Sequence, residues 1–552
     1  MQGWIITAAA LATMIAWAVA FIPRAPILLW LTALALSSGA LSLSMFWLAL
    51  LGVPIRWEPA LLICFLVGLI GLGIWRRSRL SDVTSPSARS SFPIIPIIVI
   101  GITCAAILFN AAYWMYSIDD AIAIYAGFGK QIYATTALPP LTPDSLYEGY
   151  PMLTPLLYAF AHSASGGIND SLAAWLNALL SIGVIGAAYA LGRELYTPRV
   201  GGYAALLIAI MPYFTHWAGA GYTDLPAGFF YGLCAVFAAR AFKGTAGSDV
   251  ILCGIMAGLA AWAKNSGLIV VGSLCVWYAH RLWHEWGNQR RVLLELAVIG
   301  AVFFAVGGVW YVRNILEAGF ILPPTGWTWA AERTIASLVP YLTDIRYSIS
   351  GVFLTVGMFL NGAQAVISRG KNHELTLPIA FFAPFFVVWW ALFSYDDRFL
   401  FAVLPIAAVM GAYWLDRLLA RLFPQPNRLL QRVGDAIWLV LAVPSLWNAV
   451  DYKHELLRHP LMTLEERYQV TFGPRYAIGR YLAAQAGQSR VWTTDLRLSY
   501  HADKVQVISG GLPSREQAQQ GDYIILAPQE SLDWLVGTPI FEQDGWRVYR
   551  VA

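Results

Sequence analysis

Acidic side chains stand where apolar helical runs begin or end, which is where chemistry at a membrane surface would need them. Asp119 and Asp120 follow one run, Asp224 opens another, and Asp396 and Asp397 precede a third. Two adjacent carboxylates beside a low-dielectric slab repel each other and resist ionisation. A chain that carries such a pair can use it as a base or as a cation ligand. In the alternative interpretation, these acids cap helix ends and satisfy free backbone N–H groups.

Cationic side chains lie beside the same helix ends. Lys264 separates two apolar runs, Arg313 follows another, and Arg398 comes directly after the third acidic cluster. A guanidinium fork matches phosphate oxygens, and an ammonium group meets a phosphate as a point charge. One interpretation is therefore the capture of a lipid phosphate. The other is a local ion pair, or a long side chain that reaches toward the headgroups.

Several common binding motifs are absent from the sequence. It has no glycine-rich phosphate loop, no HExxH spacing and no CxxC pair, and its five cysteines lie inside apolar runs. These absences argue against an ATP or dinucleotide site, a primary pump and a zinc site. The net charge of +4 is too small to indicate nucleic-acid binding.

The composition predicts the elements that must position these groups. Of the 552 residues, 58% are hydrophobic and 12% are charged, whereas a soluble chain carries about 25% charged residues. A soluble globular enzyme, a disordered chain and a coiled coil are excluded. We expect a polytopic α-helical membrane protein with about fourteen transmembrane helices. The apolar runs lie at 3–22, 27–53, 59–75, 93–112, 170–191, 200–216, 223–242, 248–263, 266–283, 292–311, 347–367, 376–393, 398–419 and 433–450.

The distribution of positive charge predicts the topology. Arginine concentrates in alternate loops, such as those at 76–89 and 417–432, and the intervening loops hold the acids. The positive-inside rule then places the N-terminus, the acidic clusters and the C-terminus outside the cytoplasm. The first run lacks the basic segment of a cleaved signal peptide. We expect an integral protein of a bacterial inner membrane.

Three regions follow from this pattern. Residues 1–85 form three additional N-terminal transmembrane helices. Residues 93–450 form the main transmembrane module, with outer loops at about 113–169 and 312–346. Residues 451–552 turn polar and predict a small extracytoplasmic α/β domain, with a helix at 475–484 and strands at 490–494, 504–508, 522–526 and 546–551. An apolar piece at 152–161 is too short to span and predicts an amphipathic helix in the membrane interface.

Several short motifs, taken in order, resemble those of the GT-C integral-membrane glycosyltransferases. The likeness is to the bacterial protein-mannosyltransferase-like and aminoarabinose-transferase-like group, which uses polyprenyl-phosphate sugars. It covers roughly residues 93–552. The motifs are Asp119-Asp120-Ala121 with Tyr125, Lys130 and Pro139-Pro140; Gly149-Tyr150-Pro151; Gly192-Arg193-Glu194-Leu195; Thr223-Asp224-Leu225-Pro226; Gly254-Ile255-Met256-Ala257-Gly258 followed by Lys264; Tyr311-Val312-Arg313-Asn314; and Arg398-Phe399-Leu400-Phe401. The chain departs from the group in its Asp-Asp pair, where many members have Asp-Glu, and in its three preceding helices.

The resemblance implies a reaction at the outer face. A sugar passes from a polyprenyl-phosphate donor to a hydroxyl of an acceptor protein, lipid or glycan, with inversion. Asp119 is then the general base, while Asp120 and Asp224 orient hydroxyl groups. Lys264, Arg313 and Arg398 are the candidates for the lipid phosphate.

The resemblance also extends to Tyr125, Lys130 and Tyr150 as substrate-binding residues, and to the membrane lipids as partners. No cofactor is required if the donor is a monophosphate, because arginine and lysine can balance its charge. In relatives that transfer oligosaccharides the acidic pair binds a divalent cation instead, and Asp119, Asp120 and Asp224 would be the ligands here.

Three other functions remain open from the sequence. A transferase or ligase of diphosphate-linked glycans would depend on outer-loop arginines and histidines and would not need the acidic pair. A transporter would place charges along a pathway, but most acids here lie at helix ends on one side. A non-catalytic envelope scaffold would use the tail domain and the N-terminal helices to assemble partners.

Overall fold

Apolar helices follow one another from the N-terminus to residue 451, as the hydropathy pattern predicts. The computed structural model describes residues 1–22, 26–78, 92–114, 116, 118, 120–143, 145, 147–323, 334–394, 396–423, 428–451, 461–485, 489–495, 497–501, 506–509 and 511–551. Asp119 of the predicted acidic pair lies outside these residues.

The α-helices divide into those before and those after the second predicted outer loop. The first group is α1 Gln2–Ala12, α2 Ile15–Phe21, α3 Pro26–Leu50, α4 Trp57–Ser78, α5 Ile94–Trp114, α6 Gly127–Thr135, α7 Leu153–Ser165, α8 Asp170–Leu195, α9 Pro198–Ala209, α10 Pro212–Ala218, α11 Asp224–Phe242, α12 Ser248–Ala263, α13 Ile269–His284, α14 Gln289–Phe303 and α15 Val309–Ala318. The second group is α16 Val339–Thr343, α17 Ser348–Ile367, α18 His373–Val388, α19 Leu404–Leu422, α20 Arg428–Asp451, α21 Leu464–Phe472, α22 Pro474–Gln485 and α23 Leu498–His501.

Within the described residues, nine helices are long and apolar enough to cross a membrane. They are Gln2–Phe21, Pro26–Leu50, Ile94–Trp114, Asp170–Leu195, Asp224–Phe242, Gln289–Ala318, Ser348–Ile367, His373–Leu392 and Asp397–Leu422. The predicted count of about fourteen is not confirmed. Trp57–Gly73 and Ser248–Ala263 are apolar but shorter, and the run at 200–216 is divided where Pro212 begins α10.

Among the residues that the structure describes, three π-helical segments interrupt the α-helical pattern. Ala121–Ala126 comes directly before α6, Phe304–Gly308 joins α14 to α15, and Trp389–Phe393 extends α18. Such segments carry one residue more per turn and occur often at functional sites. Each of them here adjoins a segment that carries predicted site residues.

The helix predicted to lie in the membrane interface is present, but its predicted environment is wrong. Residues 153–162 of α7 are all buried. The helix packs against α1, α3, α6 and α8, and Gly129 of α6 approaches it so closely that a Cβ there would lie 2.6 Å from Tyr158. The protein therefore shields α7 from lipid.

The N-terminal helices pack against the main module through aromatic side chains. Trp262 of α12 donates a hydrogen bond to Ser42 of α3 at 3.0 Å. Phe46 of α3 lies 5.1 Å from Trp262 and 5.8 Å from Trp310, measured between ring centroids. These three rings fix α3 against α12 and α15.

The tail contains a five-stranded mixed sheet in the order β2-β1-β3-β5-β4. Its strands are β1 Arg490–Thr493, β2 Gln506–Ser509, β3 Tyr523–Leu526, β4 Phe541–Gln543 and β5 Trp546–Arg550. β1 is parallel to β2 and β3, whereas β5 is antiparallel to β3 and β4. The predicted small α/β domain is confirmed, with β4 as a strand that the sequence pattern did not indicate.

Candidate active site

A cleft of about 210 Å³ gathers most of the predicted site residues from separate parts of the chain. It is lined by Asp120, Ile124, Tyr125, Tyr147, Tyr150, Tyr222, Lys264, Asn265, Ser266, Arg398 and Phe399. The cleft therefore combines an acid, two cations and a wall of tyrosines. Asp224 adjoins it through Lys264, whereas Lys130 and Arg313 do not line it.

Lys264 and Asp224 form a buried ion pair. The Lys264 Nζ lies 2.5 Å from Asp224 Oδ1, and the two side chains are 13% and 3% exposed. Lys264 has an extended backbone between the end of α12 and the short 3₁₀ helix Asn265–Leu268. Burial lowers the pKa of Lys264 below its ordinary value, although the nearby Asp224 carboxylate raises it. Thr223 makes no capping hydrogen bond at the start of α11, so Asp224 serves the ion pair more than the helix end.

Arg398 is clamped between aromatic rings at the other side of the cleft. Its guanidinium carbon lies 4.7 Å from the centroid of Trp217 and 4.5 Å from that of Tyr222. Nε and Nη2 donate to Asp396 Oδ2 at 2.7 and 2.6 Å, and Asp396 also accepts the Arg398 backbone N–H. The local ion pair and the helix cap predicted as the simpler interpretation are both present. They orient Arg398 without removing it from the cleft.

Asp120 faces Arg398 across the cleft. The Asp120 carboxylate is 46% exposed and lies 3.8 Å from Arg398 Nη2. The Asp120 backbone N–H donates to the Tyr222 hydroxyl at 3.3 Å. Tyr222 follows a turn in which Gly221 has a φ of +86°, and a Cβ there would lie 2.8 Å from Tyr116. The turn at Gly221 thus fixes the position of Tyr222 and, through the hydrogen bond to its hydroxyl, the position of Asp120.

Three tyrosines of the cleft, Tyr125, Tyr147 and Tyr222, remain protonated. Burial raises the pKa of Tyr125 and of Tyr222, and the neighbouring acids Asp224 and Asp120 raise them further. Burial and Asp120 act in the same direction on Tyr147. Neutral phenol groups can donate hydrogen bonds, so this wall suits a ligand that is rich in oxygen atoms.

Arg313 lies outside the lining of the cleft and holds the segment that carries Pro139. It pairs with Glu317 at 2.9 Å and donates to the Pro139 carbonyl at 3.4 Å. Its helix neighbours Trp310 and Asn314 both donate to the carbonyl of Gly149. This helix therefore holds the residue before Tyr150.

Sequence reasoning missed several residues of the cleft. Asn265 and Ser266 directly follow Lys264, and proximity along the chain was the signal that could have found them. Their side-chain Nδ2 and Oγ atoms are buried and, among the described residues, have no hydrogen-bond partner, as is true of Asp224 Oδ2. Tyr222 was not singled out, because its contribution depends on the Gly221 turn. These buried polar atoms leave hydrogen-bonding capacity beside the cleft.

The described residues contain no group of three His, Cys, Asp or Glu side chains that could hold a metal ion. Asp224 faces the Lys264 ammonium and Asp120 faces the Arg398 guanidinium. The acids of this part of the chain thus face protein cations.

The arrangement of helices is the fold of the GT-C membrane glycosyltransferases, as the sequence resemblance predicts, and the chain is an integral membrane protein. Residues 150–310 match the family described as dolichyl-phosphate-mannose-protein mannosyltransferase. No curated protein sequence matches the chain.

Two solved proteins share this fold at low sequence identity. ArnT from Cupriavidus metallidurans in the apo state is 14% identical, with a TM-score of 0.56 over 78% of this chain and 93% of ArnT. ArnT bound to undecaprenyl phosphate gives a TM-score of 0.55 at the same coverage. The Archaeoglobus fulgidus oligosaccharyltransferase, in complex with Zn and sulfate, is 14% identical, with a TM-score of 0.53 over 75% of this chain and 62% of that protein.

Proposed function

We propose that the protein transfers a sugar from a polyprenyl-phosphate donor to an acceptor hydroxyl at the outer face of a bacterial inner membrane. The observation that carries the proposal is the cleft in which Asp120, Lys264 and Arg398 converge. Two proteins of the same fold support it. ArnT has been solved with undecaprenyl phosphate, and the Archaeoglobus fulgidus oligosaccharyltransferase AglB has been solved with a dolichol-phosphate and an inhibitory peptide. A sugar already linked to phosphate is activated, so the reaction needs no nucleotide outside the cell.

The cationic side of the cleft would receive the phosphate. Arg398 is held by Asp396 and by two rings, so it needs little reorganisation when negative charge develops on the leaving group. Lys264 adds a second positive charge beside the unpartnered donors of Asn265 and Ser266. Together they would stabilise the polyprenyl phosphate as the bond to the sugar breaks.

The acidic pair would supply the base. The acceptor oxygen attacks the anomeric carbon, its proton passes to a carboxylate, and the electrons of the sugar–phosphate bond leave with the phosphate. Asp119 keeps its predicted role as this base, and Asp120 lines the cleft beside it and orients the acceptor. Attack from the face opposite the phosphate inverts the anomeric configuration.

Metal dependence belongs to the proposal as well. Lys264 and Arg398 can balance the charge of a monophosphate, so the reaction is proposed to proceed without a cofactor. A divalent cation is the alternative, since the Archaeoglobus fulgidus relative is described with Zn, and its ligands would be Asp119, Asp120 and Asp224.

Turnover of defined donors by purified protein tests the proposal. Polyprenyl-phosphate sugars are supplied with cell-envelope acceptors, and mass spectrometry follows the release of free polyprenyl phosphate. We expect release by the wild type and a rate lower by roughly 100-fold or more in Asp119→Asn and Asp120→Asn. Asp344→Asn is the matched control, because Asp344 pairs with Arg346 at 2.8 Å and does not line the cleft.

The result also separates the alternatives. Release from a diphosphate-linked glycan alone, with full activity in both acidic-pair variants, would favour the glycan ligase. Folded protein that releases phosphate from neither class of donor would contradict an enzymatic function. Release that Asp344→Asn reduces as much as Asp120→Asn would contradict the assignment of the cleft.

A further inference from the structure

The tail domain contacts the main module on both sides of the acidic pair. Before the pair, Arg467 of α21 donates to the Tyr113 carbonyl at 2.8 Å and lies over the Tyr113 ring at 4.5 Å. After the pair, Lys130 Nζ donates to the Tyr500 carbonyl at 2.6 Å and lies 4.8 Å from the Tyr500 ring centroid. The segment that carries Asp120 is therefore held at two points by residues more than 330 positions away.

Tyr500 is anchored to the module by a buried carboxylate. Asp170, the first residue of α8, is 3% exposed. Its Oδ1 accepts a hydrogen bond from the Tyr500 hydroxyl, and its Oδ2 accepts one from Tyr468 at 2.6 Å. Burial raises the pKa of Tyr500, and the Asp170 charge raises it further, so its hydroxyl stays a donor. A buried carboxylate with charge-assisted hydrogen bonds defines one docking geometry.

The contact continues from Tyr500 into the cleft. α23 packs on the π-helix Ala121–Ala126, which begins directly after Asp120. The Tyr500 ring lies 6.3 Å from that of Tyr116, which in turn adjoins the Gly221 turn. That turn places the Tyr222 ring against Arg398 and its hydroxyl on the Asp120 N–H.

We propose that Tyr500 and Lys130 are positioning residues that fix Asp120 in its productive geometry by docking the tail domain on the π-helix. Lys130 then acts on the tail and not on the lipid phosphate. The activity readout of this inference rests on the proposed function, whereas its structural readout does not. A displacement of about 1 Å in a reacting group can lower a rate by roughly 100-fold, so the docking has a kinetic consequence.

Steady-state kinetics distinguish positioning from binding. We expect Tyr500→Phe and Lys130→Met to lower kcat by roughly 10-fold or more, with the donor KM within about two-fold of the wild type. Lys130→Arg should restore most of kcat, because it can still donate to the carbonyl. The matched control is Tyr476→Phe, since the Tyr476 hydroxyl donates to Glu465 inside the tail. A donor KM that rises in Lys130→Met with unchanged kcat would assign Lys130 to the phosphate and overturn the proposal.

Amide hydrogen exchange of the folded full chain supplies the readout that is independent of turnover. Peptides covering 121–135 should exchange faster in Tyr500→Phe and Lys130→Met than in the wild type or in Tyr476→Phe. Unchanged exchange in both variants would refute the docking role even if turnover falls. Faster exchange in both variants, in a protein whose wild type turns over no donor, would refute the proposed function and leave the docking role standing.

Discussion

The buried ion pair of Lys264 and Asp224 allows a test in which the effects of substitutions on stability and on donor turnover can be distinguished. The ion pair joins atoms 2.5 Å apart on side chains that are 13% and 3% exposed. Removing one partner of such a pair leaves an uncompensated buried charge and costs about 3–5 kcal/mol. We expect that loss in Lys264→Met and in Asp224→Asn. The double variant carries neither charge, so at least about half of the loss should be recovered.

Thermal unfolding in a single detergent, followed by tryptophan fluorescence, measures this cycle beside donor turnover. The matched control is Lys243→Met, because Lys243 pairs with Glu194 at 3.3 Å but is 42% exposed. An exposed pair of this kind contributes about 0–1 kcal/mol. Additive losses in the double variant would refute the buried ion pair. A double variant that regains both stability and full turnover would show that the pair is structural and would remove Lys264 from the proposed phosphate site.

Three further predictions concern the cleft and the tail. Arg398→Lys keeps the charge but loses the fork to Asp396 and the fit between two rings, so turnover should fall by about 100-fold; a rate within the range of the wild type would contradict the role of Arg398. EDTA should leave turnover unchanged, whereas a loss that a single divalent ion restores would establish a metal enzyme. Burial, aided by Lys130, lowers the pKa of His501 from 6.5 to about 3, so the unfolded tail binds a proton that the folded tail does not bind between these values. The free energy of unfolding of the tail should therefore be highest above pH 6.5 and should decline toward pH 3 by up to ~1.4 kcal/mol per pH unit. A dependence of stability on pH that is equally steep in His501→Asn and in the wild type would refute this.

Helical periodicity and charge located most of the elements, and together with the family resemblance they indicated five of the eleven residues that line the cleft. Asp120, Lys264 and Arg398 each stand at a helix end, and the charge pattern predicts that these ends lie on one face, where the three side chains line one cleft. The tail strands also follow from their alternating apolar residues, except for the three-residue β4, which is too short to carry a pattern.

Long-range contacts could not be predicted in the same way. Lys130 is of a residue type that often binds phosphate, but the tail carbonyl that accepts its hydrogen bond is 370 residues away. The residue type of Arg313 likewise indicates a phosphate ligand, yet its guanidinium forms an ion pair with Glu317 one helical turn later. The apolar run of α7 indicated an interface helix, because one sequence cannot show that other helices surround it. In each of these three cases the role depends on which residues lie in contact, and residue type alone does not show that.

The π-helical segments impose a constraint on chain length. Trp389–Phe393 ends three residues before Asp396, so its extra residue affects the direction in which the chain continues toward Asp396 and Arg398. Deleting one residue there would let the helix continue in α form but would remove the kink that a π-helical turn introduces, and so would change the direction in which the following residues leave it. The same argument applies to Ala121–Ala126 and Phe304–Gly308, which precede α6 and α15. Insertions and deletions in these three segments should therefore be tolerated as poorly as substitutions of the charged residues, even though the segments are made almost entirely of apolar side chains and glycine.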